Sequence, residues 1–247
     1  MTTDTAARLR ALHVPGTPLV LPNAWDAASA RAVREAGFPA VATSSAAVAR
    51  VLGHDDGERT PVAEMMAAVA RMARAVEGVP VTADVERGYG LAPAELVERL
   101  AEAGAAGCNL EDSLPGSGAM VDPAEQADFL AEVRAAAGDA LVINARVDLY
   151  LRGPASRQEA VARGRRYLEA GADCVYPIGL ADEGEIRALV SELGGPVNVY
   201  CRPATPGLAR LAELGVARIS FGSGLHQASH VFAQELFARI GQGRSPF

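Results

Sequence analysis

The chain repeats one pattern seven times: a helix-like segment ends in glycine, and a short apolar run follows at once. Glycine can take the left-handed conformation that closes a helix, which is costly for residues with a β-carbon. The seven junction glycines are Gly37, Gly78, Gly104, Gly138, Gly171, Gly194 (or Gly195) and Gly215. Together with an opening strand over Leu19–Leu21, the pattern predicts eight strands that alternate with helices.

Eight βα units predict a closed (β/α)8 TIM barrel, because parallel strands joined by helices are covered on their outer face. The alternative is a Rossmann-like open sheet, but no GxGxxG motif follows the first strand. The 247 residues show no break in composition, so we expect one domain over residues 1–247. Capping signals at Asp122 and Ser156 predict helix starts, and Pro61 and Pro206 are predicted at first helical positions.

Charge and composition exclude several classes of protein. The formal net charge of -7 and the absence of a long basic cluster argue against nucleic-acid binding. No segment has the length of a membrane span, and the N-terminal stretch 1–13 has no signal-peptide core, so we expect a cytoplasmic protein. The three cysteines, Cys108, Cys174 and Cys201, form no CxxC motif and are interpreted as reduced core thiols.

Polar residues collect where the predicted strands end. The apolar run Val79 to Ala83 stops at Asp84, and Glu86 and the sequence Gly88-Tyr89-Gly90 follow. The carboxyl ends of barrel strands share one rim, so residues that are distant in sequence are expected to meet there. The predicted rim set is Asn23, Trp25, Asp26, Thr43, Ser44, Ser45, Asp84, Glu86, Glu111, Asp112, Asn144, Arg146 and Asp148.

Converging carboxylates without histidine or cysteine favour a hard cation such as Mg2+. Arg146, set among these acids, can pair bidentately with a substrate carboxylate. Two alternatives stay open at this point. Asp84 and Glu86 can be solvated loop acids, and Arg146 can serve only to neutralise Asp148 or Glu111.

The ordered motifs resemble the isocitrate lyase and phosphoenolpyruvate mutase superfamily. They are Ser44-Ser45, Gly53-His-Asp-Asp56, Asp84-Val-Glu-Arg-Gly-Tyr-Gly90, Leu110-Glu-Asp112 and Asn144-Ala-Arg-Val-Asp148. The resemblance implies Mg2+, or Mn2+ in its place, at Asp84, Glu86 and Glu111. It further implies substrate binding by Trp25, Ser44, Ser45, Asp84 and Arg146, and catalytic roles for Arg146, Glu111 and Asp56.

The resemblance has a clear departure. Lyases of the superfamily carry a K-[KR]-C-G-H loop after the strand-four acids, whereas this chain has Ser113 to Val121 without cysteine or lysine. The strand-six position that often holds histidine or glutamate aligns with Ile178. We therefore expect a Mg2+-dependent lyase-like enzyme that acts on a small 2-oxo acid through an enolate, by carbon–carbon cleavage, decarboxylation or hydrolysis. The expected binding partner is a small 2-oxo acid or dicarboxylate substrate.

Two alternatives to that activity remain. One is phosphorus–carbon chemistry on phosphonopyruvate or phosphoenolpyruvate, and the other is non-catalytic binding of a 2-oxo acid. The glycine-bearing loop 114–121 is either a lid or a plain connection.

The resemblance also implies an oligomer, a dimer or a homotetramer built from dimers that exchange the final barrel helix. The segment after Gly224 carries Val231, Phe232, Leu236 and Phe237 at helical spacing, which indicates an apolar stripe. His226 and His230 stand four residues apart on the same segment, but no HExxH glutamate separates them. They are interpreted as surface or interface histidines rather than zinc ligands.

Overall fold

The computed structural model describes residues 3–151 and 155–247. The first two residues of the N-terminal stretch considered above lie outside this part of the chain. Strands and helices alternate along it. The strands are β1 (Leu19–Leu21), β2 (Asn23–Ala24), β3 (Val41–Thr43), β4 (Val81–Asp84), β5 (Gly107–Leu110), β6 (Val142–Arg146), β7 (Cys174–Tyr176), β8 (Asn198–Tyr200) and β9 (Arg218–Ser220).

The helices cover the segments between the strands, with one helix at each end of the series. They are α1 (Thr3–Ala11), α2 (Ala27–Glu35), α3 (Ser45–Leu52), α4 (Val62–Ala75), α5 (Pro93–Glu102), α6 (Pro123–Ala137), α7 (Arg157–Glu169), α8 (Glu183–Leu193), α9 (Leu208–Glu213) and α10 (Gly224–Gly241). Two short 3-10 turns, Gly138–Ala140 and Asp148–Leu151, flank β6.

The strands follow one another in a ring, as the βα repeat predicts. All strand pairs are parallel, in the orders β2-β3-β4-β5-β6-β7 and β1-β9-β8. A parallel bridge between Val175 and Val197 links β7 to the β8 segment. The eight predicted strands appear as nine segments because Pro22, which has no N–H, divides the first of them into β1 and β2. Its carbonyl still accepts a bond from the Ala42 amide at 3.2 Å.

The helix-closing glycines are confirmed at the predicted junctions. Gly37, Gly78, Gly104, Gly171, Gly194 and Gly215 all have positive φ, and Gly195 does not. Gly138 also has positive φ, but its ψ of -133° lies outside the left-handed helical region, and the residue starts a 3-10 turn.

Two predicted helix starts were misplaced by one or two residues. Pro61 is the residue before α4 rather than its first helical residue, and α9 starts at Leu208, beyond Pro206. The signals at Asp122 and Ser156 are confirmed, since each side chain accepts a hydrogen bond from the backbone N–H of the helix that follows.

The core lies between the strands and the surrounding helices. The central strands β3, β4 and β5 are buried at every residue, which matches a sheet covered on both faces. Cys108 and Cys174 are buried free thiols in β5 and β7, and Cys201 is a half-buried free thiol directly after β8. This packing fixes the strand ends, and with them the residues of the rim.

Helix α10 differs from the helices before it. All of its residues are described, and none of them is buried. Phe232 and Phe237 are 62% and 66% exposed. None of the helices in residues 3–151 and 155–247 combines the length and the apolar character that a membrane crossing requires.

We expect Gly107→Ala to destabilise the fold. A Cβ at Gly107 would lie 2.9 Å from the Val142 carbonyl oxygen and 3.0 Å from Leu9 Cδ2. Relieving that overlap requires strand β5 or β6 to shift, at a cost of about 1–3 kcal/mol. Urea unfolding measures the change, with Gly207→Ala as control, since nothing lies within 4 Å of a Cβ there. Equal stability of the two variants would contradict the tight β5–β6 packing.

Candidate active site

A cavity of about 270 Å³ opens at the carboxyl ends of β3 to β6. Residues from four strand–helix connections line it, because parallel strands present their ends to the same rim. The lining residues are Ser45, Asp56, Gly57, Glu86, Glu111, Ser113, Leu114, Pro115, Gly116, Ser117, Gly118, Arg146, Asp148 and Leu151.

Asp84 closes β4 and is held beside this cavity by β3 and α3. Its Oδ2 accepts hydrogen bonds from the Ser45 amide at 3.1 Å and the Ser45 hydroxyl at 2.9 Å. The Asp84 amide donates to Thr43 Oγ1 at 2.8 Å. The other carboxylate oxygen, Oδ1, is buried and has no hydrogen-bond partner in the described part of the chain. A buried carboxylate oxygen without a donor is available to a cation or to water.

Glu86 is held by a reciprocal set of bonds with the loop before α4. Its two carboxylate oxygens accept from the Tyr89 hydroxyl at 2.9 Å and from the Glu58 amide at 2.7 Å. In return, Glu58 Oε1 accepts from the amides of Tyr89 at 2.7 Å and Arg87 at 3.1 Å. We call these contacts between Glu58, Glu86, Arg87 and Tyr89 the Glu58 clamp.

The Glu58 clamp holds the backbone in an unfavourable conformation. Glu58, Glu86 and Tyr89 have φ of 58°, 51° and 57°, and they are the only non-glycine residues with positive φ in the part of the chain described here. Each such residue costs free energy, so surrounding contacts have to maintain it. Asp56 lies two residues before Glu58 and lines the cavity.

Arg146 lies between two carboxylates at the end of β6. Its Nε and Nη2 donate to the two oxygens of Asp148 at 3.0 Å each, and its Nη1 lies 2.5 Å from Glu111 Oε2. The Ser113 hydroxyl also donates to Asp148, at 2.7 Å. Arg146 therefore makes the ion pairs with Glu111 and Asp148 that the sequence left open as an alternative.

A second layer of buried groups holds Asp148 in place. The Asp148 amide donates to Asp112 Oδ1 at 2.8 Å. The other Asp112 oxygen accepts from the Tyr167 hydroxyl at 2.8 Å and from Arg163 Nη1 at 3.2 Å. Asp112 itself is fully buried, so its role is to orient the loop after β6 rather than to face the cavity.

Negative charge dominates the cavity. Asp56, Glu86, Glu111 and Asp148 line it together with one basic residue among those described, Arg146. Burial, reinforced by the carboxylates of Asp56 and Asp84, raises the pKa of Glu86 to about 7. Burial likewise raises the pKa of Glu111 to about 8, although Arg146 acts in the opposite direction. The site therefore favours the uptake of protons or of a cation.

The structure brings most of the predicted site residues together. Ser45, Asp56, Glu86, Glu111 and Arg146 line the cavity, and Asp84 is bonded to Ser45 at its edge.

Two predicted substrate-binding residues lie outside the lining. Ser44 caps α3 through the Ala47 amide. Trp25 packs edge-to-face against His226, with ring centroids 5.1 Å apart, and the His226 and His230 rings stack at 6.3 Å. Substrate contacts of Ser44 and Trp25 therefore stay predictions.

Sequence reasoning did not identify Glu58 and Ser113, and it treated Tyr89 only as part of a motif. The one signal for Glu58 is its position directly after Asp55-Asp56-Gly57. Ser113 follows Glu111-Asp112 and carried no pattern of its own. Tyr89 lies between two glycines that both have positive φ, which indicates a constrained turn.

The donor set fits a hard divalent cation bound by few protein ligands. No group of three histidine, cysteine, aspartate or glutamate side chains forms a ready cage within residues 3–151 and 155–247. Mg2+ commonly takes one or two protein carboxylates and completes its shell with water and substrate oxygens. The unpartnered Asp84 Oδ1 meets that requirement.

The fold and the rim together define an α/β protein of parallel strands with an acidic site at the strand ends. The profile of the family described as phosphoenolpyruvate phosphomutase matches residues 9–240. The chain belongs to this family and, with it, to the isocitrate lyase/phosphoenolpyruvate mutase superfamily.

Two relatives align with most of this chain. The chain is 39% identical to the uncharacterized protein Rv1998c of Mycobacterium tuberculosis, over 89% of this chain and 85% of that protein. It is 29% identical to oxaloacetate decarboxylase 1 of Pseudomonas fluorescens, over 92% and 81%.

A solved structure agrees in fold along almost the whole length. A Burkholderia cenocepacia J2315 protein, assigned provisionally as a phosphonomutase, is 42% identical, with a TM-score of 0.88 over 98% of this chain and 99% of that one.

We expect Glu58→Ala to loosen the loop after β4, whereas Glu58→Gln should largely preserve it. Alanine removes the acceptor for two backbone amides, while a glutamine carbonyl can still accept from both. Hydrogen exchange at Arg87 and Tyr89 measures the effect, and we expect at least tenfold faster exchange in the alanine variant only. Glu77→Ala, at an exposed acid just after the end of α4, is the control. Unchanged exchange in Glu58→Ala would contradict the clamp.

Proposed function

We propose that this protein is a Mg2+-dependent enzyme, active with Mn2+ in its place, that binds a small 2-oxo acid and cleaves the bond next to its oxo group. The observation that carries the proposal is the buried, unpartnered Asp84 Oδ1 beside a cavity lined by four carboxylates. Members of the superfamily are enzymes. The relatives named above include an oxaloacetate decarboxylase, which supports cleavage of a bond next to the oxo group.

The carboxylates that would hold the cation differ in whether their oxygens already accept hydrogen bonds. Asp84 would bind it directly through Oδ1. The carboxylates of Glu86 and Glu111 already accept from Tyr89, Glu58 and Arg146, so they would act through water. When bound, the cation would stabilise negative charge that develops on the 2-oxo oxygen.

The protein's own groups would then position the substrate and supply protons. Arg146 would contact substrate oxygens. Its two hydrogen bonds to Asp148 already hold the guanidinium in a fixed orientation before the substrate binds. Glu111 is paired with Arg146 as a carboxylate. Burial raises its pKa to about 8, so it would take up a proton when the substrate displaces it from Arg146 and then pass that proton to the carbon that loses its substituent. Asp56, which lines the same cavity from the connection between α3 and α4, would be the second group able to transfer a proton.

Decarboxylation or hydrolysis fits this chain better than a reversible aldol cleavage. The loop 113–121 supplies Ser113 and Ser117 to the described cavity lining where lyases of the superfamily carry a cysteine. The same loop has no lysine, which weighs against phosphorus–carbon chemistry on phosphonopyruvate. Non-catalytic binding of a 2-oxo acid is the remaining alternative, and product analysis by NMR separates it from turnover.

We expect Asp84→Ala to abolish Mg2+-dependent binding of oxalate while the fold survives. Oxalate resembles the enolate of pyruvate, and the variant removes the oxygen available to the cation. Isothermal titration with and without Mg2+ should show at least a hundredfold loss of affinity. Asp128→Ala, an exposed acid on α6, should bind as the wild type does. Wild-type affinity in Asp84→Ala would refute the site assignment.

We also propose that the protein forms a dimer or tetramer in which α10 packs on another copy. The helix buries no residue in its own chain, while its apolar side chains Val231, Phe232, Phe237 and Ile240 are exposed. Exposed apolar area of this kind marks protein interfaces.

The double variant Phe232→Asp/Phe237→Asp should be monomeric, because two buried carboxylates without partners would oppose association. Light scattering coupled to size exclusion gives the mass. Gln234→Ser, on the same helix, should leave the oligomer intact. A variant that keeps the wild-type mass would show that α10 is not the interface.

A further inference from the structure

We propose that Arg163, on α7, is a positioning residue for the candidate active site. Its guanidinium holds the base of the loop after β5 and, through Asp112, the orientation of the Asp148–Arg146 pair. The inference rests on the proposed function, since it assumes that Arg146 binds the substrate oxygens. Arg163 does not line the described cavity, so it would act only through the groups that it holds.

Arg163 joins the two ends of the loop after β5. Its Nη1 donates to the Val121 carbonyl at 2.9 Å and to Asp112 Oδ2 at 3.2 Å. The Val121 amide also donates to the Asp112 carbonyl at 2.9 Å, so the two ends are tied together directly as well. The segment between them, 113–118, forms one wall of the cavity. The buried guanidinium therefore helps to fix where that wall begins and ends.

Asp112 carries the same contact on to Arg146. Its Oδ2 accepts from Arg163 and from the Tyr167 hydroxyl at 2.8 Å, and that hydroxyl lies 3.3 Å from Arg163 Nη1. Its Oδ1 accepts from the Asp148 amide at 2.8 Å. Asp148 in turn holds the Arg146 guanidinium through two bonds of 3.0 Å. A continuous path of hydrogen bonds thus connects α7 to the arginine of the site.

Packing of α7 alone does not explain an arginine at this position. Arg163 is only 6% exposed, and burying a guanidinium costs free energy that an apolar side chain of similar volume avoids. Its Nη1 instead reaches Asp112 and Val121, which flank the cavity wall. Hydrogen bonds of a charged group in a buried network hold their partners in a fixed geometry. A displacement of about 1 Å in a substrate-binding group can cost about a hundredfold in rate, so this geometry matters for Arg146.

Hydrogen exchange tests the positioning without any ligand. Arg163→Met removes the donors to Asp112 and Val121 and keeps an unbranched side chain. We expect the Asp148 amide to exchange at least tenfold faster in this variant, because Asp112 is no longer held against it. Arg166→Met, at an exposed arginine of the same helix, should leave this exchange unchanged. Wild-type exchange at Asp148 in Arg163→Met would overturn the inference.

Isothermal titration with oxalate in the presence of Mg2+ tests the consequence for the site. At a temperature where circular dichroism shows each variant to be folded, Arg163→Met should bind oxalate at least tenfold more weakly than the wild type, and Arg166→Met equally well. Arg163→Lys keeps the charge but loses the planar fork, so its loss should be smaller but measurable. If Arg163→Met does not fold, wild-type affinity in Arg163→Lys overturns the inference.

A double-mutant cycle separates positioning from a merely structural role. If Arg163 acts through Asp148, the affinity lost in Arg163→Met/Asp148→Asn should be clearly less than the product of the two single losses. Independent losses that multiply would contradict the path through Asp112.

Failure of this inference differs from failure of the proposed function. A folded Arg163→Met variant with wild-type oxalate affinity would end the positioning role and leave the proposed function standing. If the wild type binds no oxalate with Mg2+, the proposed function fails and the positioning role fails with it.

Discussion

The ion pairs of Arg146 are the interaction on which the site depends. The guanidinium is held at 3.0 Å to both oxygens of Asp148 and at 2.5 Å to Glu111. It offsets only part of the charge, because Asp56, Asp84 and Glu86 remain around the same space. Buried carboxylates that lack partners raise their pKa or attract cations. Burial is the main cause of the raised pKa values of Glu86 and Glu111, and the neighbouring carboxylates, whose excess negative charge also favours a metal, add to it.

The surrounding structure keeps these repelling groups in position. Ser45 donates twice to Asp84, the Glu58 clamp holds Glu86, and Asp112 orients Asp148 through its amide. Each of these contacts joins a residue after one strand to a loop from another, so the rim is a connected network. Such preorganisation lowers the reorganisation that binding a charged ligand would otherwise require.

The sequence was sufficient to predict the ring of strands and most of the rim. The glycine junctions are local signals, since a positive φ depends on the residue itself, and they predicted where helices end. Alternation of strand and helix then placed Asp84, Glu86, Glu111 and Arg146 on one edge. The first prediction depends on the conformational freedom of glycine. The second depends on the rule that the carboxyl ends of parallel barrel strands share one rim.

The partners of the side chains could not be predicted in the same way. Glu58 and Glu86 are 28 residues apart in sequence, and their contact depends on how the loop before α4 crosses the rim. The division of the first strand at Pro22 and the exposure of α10 likewise depend on packing between distant segments. Trp25 follows a strand end, as predicted, but it turns toward His226 rather than the cavity.

A crystal structure of the protein with Mn2+ and oxalate tests the central claim most directly. The account predicts an anomalous peak for Mn2+ in the cavity, within coordination distance of Asp84 Oδ1 or of a water bound to it, with oxalate oxygens completing the shell. An empty cavity at saturating Mn2+ and oxalate, with Arg146, Glu111 and Asp148 paired as before, would contradict it.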